Sequence, residues 1–407
     1  MILERSLPYC LSCYVNLTVR RLRSRKSFWL FTPPRAMRAS IDGIQLSSSI
    51  SDQEIKHRVE FIDVAKALAI IAVIAGHTAI RFLGLGAGAQ FIFALAFTFH
   101  LPVFFVASGY FLHVDRRYDL AKEVRALVIP YMLSSILIIT FLCTSNLFLH
   151  DMGSTKQLFK DWLSASVYGA GDVPSVELAV WPLHVRIGGT WFLLALFWAR
   201  MIAVKLFKTK RPILLSILCF FLGLLSARVI FLPFDIQSGL CAVPFVILGT
   251  YANKRGWFTE KNGTEFVIPA LFAVWLWAVV GFNGFSMAMC DYGRSVVDCV
   301  RNIVGAIASS LCLILFLALI ERGGGYNSSK FWQTLSRLGS LTLYVLMIHV
   351  AEDDILRWGQ IVEAVGARSQ GLAWLGVLVV RILADVCIAV LLQRLIQFLM
   401  SKAQAVK

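Results

Sequence analysis

Two ionisable side chains stand eleven residues apart in an otherwise apolar stretch. The segment FIDVAKALAIIAVIAGH, residues 61–77, carries Lys66 near its start and His77 at its end, with Asp63 just before the lysine. In an α-helix eleven residues return to within about 20° of the same face and advance by roughly 16 Å. A histidine can take the proton of a hydroxyl group as a general base, and a lysine can bind a phosphate. The spacing therefore predicts one helix face with a base at one end and an anion-binding cation at the other.

Two further histidines stand in other apolar segments. His100 lies in FHLPVFFVASGYFL, two residues before Pro102, and a proline inside a helix frees a backbone carbonyl and permits a kink. We take His100 as a candidate catalytic residue on a cavity wall, with a hydrogen bond between helices as the alternative. His349 ends LGSLTLYVLMIH. It is a candidate for substrate binding or catalytic support, or else a residue at the rim of its segment.

The composition indicates the kind of element that must position these side chains. Of the 407 residues, 58% are hydrophobic and only 15% are charged, whereas soluble domains carry about 25% charged residues. Ten apolar segments approach the length of a membrane-spanning helix. They lie near residues 61–80, 90–112, 126–148, 190–207, 212–232, 238–253, 266–283, 301–320, 338–350 and 372–400. The predicted fold class is an all-α polytopic membrane protein with about ten transmembrane helices.

The charges between these segments predict their orientation. Lysine and arginine are concentrated before the first segment and in every second loop thereafter, as in cytoplasmic loops. The other loops are poor in base and carry acidic residues: Asp151, Asp172, Glu177, Asp291, Glu352, Asp353 and Asp354. This alternation predicts that both termini are cytoplasmic, that Lys66 lies in the inner half of the membrane and that His77 lies toward the outer face. It also explains the net charge of +15 without a nucleic-acid partner.

The membrane setting provides structural alternatives for several of these residues. Lys66 could extend to the inner interface, and His77 could be a hydrogen-bonded interfacial residue. The shared helix face, with Asp63 beside it, favours the functional interpretation. Trp191 is a candidate substrate-binding residue, although anchoring at the interface is the commoner role of such a tryptophan. Arg381 and Asp385, four residues apart in the last segment, are predicted to pair with each other for structural reasons.

The ends of the chain and its cysteines provide weaker signals. Residues 1–57 are predicted to be a basic, disordered cytoplasmic tail, with Met37 as an alternative start; residues 58–400 are the membrane domain, and 401–407 a second tail. Cys290 and Cys299 share one predicted outer loop, where a disulfide would form in an oxidising compartment.

Five segments carry a family resemblance. FIDVAKALAIIAVIAGH, FHLPVFFVASGYFL, RALVIPYML, GGTWFLLALFWA and LGSLTLYVLMIH occur in this order between about residues 58 and 400. Together they resemble the integral-membrane acyltransferase type 3 family, in particular its fucose 4-O-acetylase-like branch. Many members of the family have an arginine at the position of Lys66. A lysine at that position is typical of this branch and acts on a phosphate as a point charge.

The resemblance implies a bacterial inner-membrane enzyme that transfers an acyl group, commonly acetyl from acetyl-CoA, to a glycan hydroxyl. His77 would be the catalytic base, with His100 in support. Lys66 would bind the cofactor, and Arg125 and Tyr131 match a cytoplasmic family motif at the acyl-CoA side. The implied partners are acyl-CoA, a glycan or lipid-linked saccharide and membrane lipids, with no metal and no permanently bound cofactor.

Two other functions fit the same residues. Buried charges and kinked spans also suit a transporter or a flippase for lipid-linked glycans, although no internal repeat is evident in the sequence. A scaffold for a polysaccharide synthase is a third interpretation, in which substitutions at His77 would have no effect. Transfer of label from acetyl-CoA to glycan distinguishes the enzyme from both alternatives.

Overall fold

The computed structural model describes residues 59–115, 118–149, 151–260, 263–324, 329–356, 358 and 373–405. Within these residues the regular elements are helices. They are α1 (Glu60–Ile80), α2 (Ala87–Tyr110), α3 (Ile129–Leu149), α4 (Met152–Tyr168), α5 (Trp191–Leu206), α6 (Pro212–Ser226), α7 (Ile236–Lys254), α8 (Ile268–Val280), α9 (Val296–Arg322), α10 (Lys330–Ser340), α11 (Thr342–Ile355) and α12 (Ala373–Ala405). The predicted tail 1–57, including Met37, lies outside the described residues.

The helices confirm an all-α polytopic membrane protein. Seven helical segments are long and apolar enough to cross a membrane, and α10 with α11 form an eighth candidate that is bent by 67°. Two shorter apolar helices, Pro212–Ser226 and Glu265–Val280, occupy the remaining predicted segments. The third span begins earlier than predicted, because the helical turn Leu120–Glu123 and the π-helical turn Val124–Val128 continue into α3. The charged residues of these turns had shortened the apolar segment without ending the helix.

Helix α1 lies against many of the other helices. It packs against α2, α9, α10, α11 and α12. Its buried face is rich in alanine and carries Gly76, where an added Cβ would lie 2.9 Å from the Phe97 ring. Small residues allow helices to approach closely in a membrane. The sequence of α1 therefore places His77 within a packed bundle rather than against lipid.

Helices α2 and α7 cross at two reciprocal glycines. A Cβ at Gly109 would lie 2.0 Å from the carbonyl oxygen of Val246, and a Cβ at Gly249 would lie 2.0 Å from that of Val106. Thr250 Oγ1 donates a hydrogen bond to the Gly109 carbonyl at 3.0 Å. This backbone contact fixes the position of α2, which carries His100.

The predicted outer loop 149–189 contains a helix that returns along α3. Asp151 starts α4 by accepting hydrogen bonds from the Gly153 and Ser154 backbone N–H groups. At the far end of α4, the Tyr131 hydroxyl of α3 donates to the Ser166 carbonyl at 2.5 Å. After α4 the chain folds back on itself, and the Ile187 N–H donates a hydrogen bond to the Ala170 carbonyl before α5 begins.

The bend between α10 and α11 changes the environment of the acidic residues near 350. Glu352, Asp353 and Asp354 were predicted to lie in an outer loop, and this prediction is wrong because α11 continues to Ile355. Helix α10 packs closely on α1, since a Cβ at Gly339 would lie 1.8 Å from the Asp63 carbonyl oxygen. The bend then directs α11 beside the end of α1 that carries His77.

Candidate active site

A cavity of about 390 Å³ opens where α1 ends, among α2, α5, α11 and the connections that precede α5 and α9. It lies at the predicted outer face. The sequence-predicted residues His77, His100 and Trp191 all line it. The structure thus brings together three candidates that are far apart along the chain.

His77 is connected to His349 and to two carboxylates. The Nε2 atom of His349 lies 3.1 Å from the Nδ1 atom of His77. On its other side, His349 Nδ1 lies 3.0 Å from Asp385 Oδ2 and 3.1 Å from Glu352 Oε1. His349 is fully buried. It therefore lies behind His77 as a link to the carboxylates and not at the rim.

These contacts determine which nitrogen of His77 is left as a base. Ionised carboxylates only accept hydrogen bonds, so the proton of a neutral His349 is on Nδ1. Its Nε2 then accepts a hydrogen bond from His77 Nδ1–H. His77 Nε2 is consequently unprotonated, and since His77 lines the cavity, this atom can take a proton from a hydroxyl group.

Arg381 holds the carboxylates of Glu352 and Asp353 in place. Its Nε and Nη2 atoms donate to Glu352 Oε1 at 2.8 and 2.5 Å, and Nη2 donates to Asp353 Oδ1 at 2.6 Å. Arg81 also donates to Asp353 Oδ1, at 2.8 Å. The predicted pairing of Arg381 with Asp385 is wrong, because the two side chains bind different residues of α11: Arg381 pairs with Glu352 and Asp353, and Asp385 contacts His349.

The cluster carries more negative than positive charge. Three carboxylates, Glu352, Asp353 and Asp385, face two guanidinium groups, Arg81 and Arg381. Both histidines being neutral, one negative charge is in excess. A proton taken up by His77 would balance these charges, so the carboxylates offset part of the cost of forming an imidazolium ion in this buried position.

The same residues include a possible metal-ligand set. Atoms of His349, Glu352 and Asp385 lie within 4.8 Å of one another. The Glu352 oxygen in this set already accepts two hydrogen bonds from Arg381. A metal ion there would lie beside a guanidinium group, and the repulsion between the two cations disfavours binding. Arg381 already supplies the positive charge that a metal ion would bring to Glu352.

His100 has a different environment from His77. Its Nδ1 atom donates to the Ala96 carbonyl at 2.6 Å, which leaves Nε2 unprotonated when the ring is neutral. The Phe97 ring lies between the two histidines, with ring centroids 5.0 Å from His100 and 6.3 Å from His77. His100 therefore presents a hydrogen-bond acceptor to the cavity without a carboxylate behind it.

Two glycines allow the chain before α5 to pass close to His77. A Cβ at Gly189 would lie 3.7 Å from His77 Cε1 and 3.0 Å from a Val350 methyl group. Gly188 has φ +57, a conformation that favours glycine. Trp191 follows at the start of α5 and is buried. A side chain at 189 would press on Val350, so the glycine allows the close approach to His77.

The residues predicted to bind the cofactor lie away from this cavity. Lys66 Nζ pairs with Asp63 Oδ1 at 2.7 Å. Arg125 is exposed in the π-helical turn before α3, whereas Tyr131 is buried. None of the three lines the cavity around His77. Their assignment to an acyl-CoA remains a prediction.

A second arginine network was missed by the sequence analysis. Arg200 of α5 donates to both carboxylate oxygens of Glu123 at 2.8 Å, and to the carbonyl and hydroxyl of Ser108 at 3.0 and 2.8 Å. It joins α2, α5 and the turn before α3. Its partners are 77 and 92 residues away along the chain, and no local pattern predicts them.

The two cysteines of the predicted outer loop are free thiols. Cys290 Sγ lies 3.8 Å from Ser238 Oγ, and Cys299 Sγ lies 3.6 Å from the Gly293 carbonyl. Tyr292, which stands between the two cysteines in the sequence, is fully buried. Burial raises the pKa of the Tyr292 phenol well above its usual range.

Most of the chain matches one protein family. No curated protein and no solved structure matches the chain. A family model for the acyltransferase type 3 family, described as an acyltransferase domain, matches residues 59–392. The match spans α1 to α12 and includes His77, His349, Arg381 and Asp385. The chain therefore belongs to the acyltransferase type 3 family of membrane enzymes.

Proposed function

We propose that the enzyme transfers an acetyl group from acetyl-CoA to a hydroxyl of a cell-envelope or exported glycan, in the bacterial inner membrane. One observation carries the proposal. His77 lines a cavity, and its Nδ1 atom is linked through His349 to Asp385 and Glu352. This arrangement suits removal of a hydroxyl proton, which acyl transfer to an alcohol requires.

The proposed reaction needs one proton acceptor that later becomes a donor. His77 Nε2 takes the proton as the glycan oxygen attacks the thioester carbonyl carbon. The new C–O bond forms, the C–S bond breaks, and the CoA thiolate takes the proton from His77. Charge developing on His77 is offset by the carboxylates beyond His349. The products are the O-acetylated glycan and free CoA.

The direction of the reaction follows from the predicted orientation of α1. The acceptor enters the cavity from the outer face, whereas acetyl-CoA approaches from the cytoplasm. Lys66 and Arg125 would bind phosphates of CoA at that side, and Tyr131, whose hydroxyl donates to the Ser166 carbonyl, would shape the path. The distance of about 16 Å along the helix between Lys66 and His77 suits a donor with a long pantetheine arm.

The test uses membranes of the source cell from which the gene has been deleted. We expect that adding back the gene restores transfer of label from [acetyl-¹⁴C]acetyl-CoA to the glycan fraction, and restores O-acetyl signals in the NMR spectrum of the glycan. If the glycan stays unlabelled while its export changes, the protein is a transporter and the proposal is wrong. If another acyl-CoA labels the glycan and acetyl-CoA does not, the acyl group is misassigned.

A further inference from the structure

Asp354 is a carboxylate on the cavity wall that the mechanism above does not use. It lines the same cavity as His77. Its Oδ2 atom is buried, and among the described residues no donor forms a hydrogen bond to it. By contrast, the neighbouring carboxylates of Glu352 and Asp353 are held by arginines. A buried acceptor without a donor costs free energy, which a bound hydroxyl group would recover.

The position of Asp354 relative to His77 can be read from the chain that crosses α11. Gly188 lies beside Asp354, since its added Cβ would be 3.4 Å from Oδ2, and Gly189 lies beside both Val350 and His77. Val350 and Asp354 are one helical turn apart, about 6 Å along α11. Measured along α11, Asp354 thus lies about the width of one sugar ring from the turn that is next to His77.

We propose that Asp354 binds the acceptor sugar by accepting a hydrogen bond from a second hydroxyl of the ring whose reacting hydroxyl lies at His77. This inference rests on the proposed function. It selects a sugar that presents a hydroxyl donor at this position. Asp354 is therefore a specificity-determining residue, and it takes no proton in the reaction.

The walls of the cavity support this assignment. Gly188 and Gly189 run along the wall that joins Asp354 to His77, in contact with Val350. The Phe97 and Trp191 rings also line the cavity, and aromatic rings with a few polar groups are typical of ligand sites. A sugar ring in this space would have one polar contact at each end and apolar walls between them.

The experiment measures kinetics with the full-length protein in detergent. The acceptor probe is the deacetylated glycan fraction of the source cell, and the donor is [acetyl-¹⁴C]acetyl-CoA. We expect Asp354→Ala, which removes the acceptor, to raise the KM for glycan by about ten- to a hundredfold, the range for removing one partner of a buried hydrogen bond. The KM for acetyl-CoA should not change. Asp354→Asn keeps a carbonyl oxygen as an acceptor and should raise the glycan KM less, and Asp354→Glu should recover part of the loss.

Glu177→Gln is the matched control, since Glu177 is exposed on the same predicted face and outside the cavity lining. An unchanged glycan KM for Asp354→Asn and Asp354→Ala would overturn the inference while leaving the proposed function intact. A rise in the KM for acetyl-CoA equal to that for glycan would also overturn it, as Asp354 would then act through packing. If the unsubstituted enzyme transfers no label to glycan, the proposed function fails and the inference with it.

Discussion

Substitution of Asp385 by asparagine tests how the carboxylates act on His77. The substitution keeps the shape of the side chain and removes its charge. His349 Nδ1 also lies 3.1 Å from Glu352 Oε1, so we expect Glu352 to keep the proton of His349 on Nδ1. His77 would then retain an unprotonated Nε2. Only the electrostatic effect of Asp385 should be lost.

The size of this effect follows from the distances. The Asp385–His349 contact of 3.0 Å and the His349–His77 contact of 3.1 Å, with the widths of two imidazole rings, place the charge about 10 Å from His77 Nε2. At an effective permittivity of about 20, the interaction is ~1.7 kcal/mol, or roughly a twentyfold change in rate. Loss of the correct histidine tautomer costs about 10⁴-fold in a comparable triad. Loss of the electrostatic effect of Asp385 and loss of the histidine tautomer therefore predict clearly different rates.

The assay is release of free CoA thiol by the purified enzyme at saturating acetyl-CoA and glycan. We predict that Asp385→Asn lowers kcat roughly twentyfold and leaves the KM for acetyl-CoA unchanged. Asp115→Asn is the control, because Asp115 forms an exposed pair with Lys254 at the other end of the bundle. A loss near 10⁴-fold in folded protein would mean that Glu352 does not hold the tautomer. An unchanged kcat would mean that the carboxylates do not act on His77.

Two other substitutions test the fold and the donor side. Gly109→Ala places a Cβ 2.0 Å from the Val246 carbonyl oxygen, and we expect it to destabilise the protein by about 1–3 kcal/mol and to lower Tm in detergent. Gly376→Ala is the control, because no atom lies within 4 Å of its Cβ, and it should leave Tm unchanged. Equal Tm values for the two variants would refute the contact. Lys66→Gln removes the cation that pairs with Asp63 and should raise the KM for acetyl-CoA about tenfold, with an unchanged KM for glycan. A change in the KM for glycan alone would contradict the assignment of Lys66 to the acetyl-CoA side.

The sequence predicted the helix that carries His77. The apolar run around Lys66 and His77 predicted this element correctly, since α1 spans Glu60–Ile80. The place of His100 on a cavity wall also agrees with its position before Pro102. These inferences needed only helical geometry and hydrophobicity, which act over a few turns of chain.

Partners on different helices could not be predicted in this way. Arg381 and Asp385 stand four residues apart, and local spacing therefore favoured a pair between them. Their real partners, Glu352 and His349, lie 29 and 36 residues away respectively, and they come into contact only because α10 and α11 bend. The acidic run at 352–354 indicated a loop for the same reason, since its compensating arginines are distant in sequence.

The most direct test of the central claim is the rate of acetyl transfer to glycan by purified His77→Gln enzyme. His184→Gln is the control, because His184 also lies near a carboxylate, Asp161, but is exposed. If His77 is the general base, His77→Gln should lower kcat by about 10²–10⁴-fold, the usual contribution of such a group, with the Tm and the KM for acetyl-CoA unchanged. Full activity of folded His77→Gln enzyme would contradict the account.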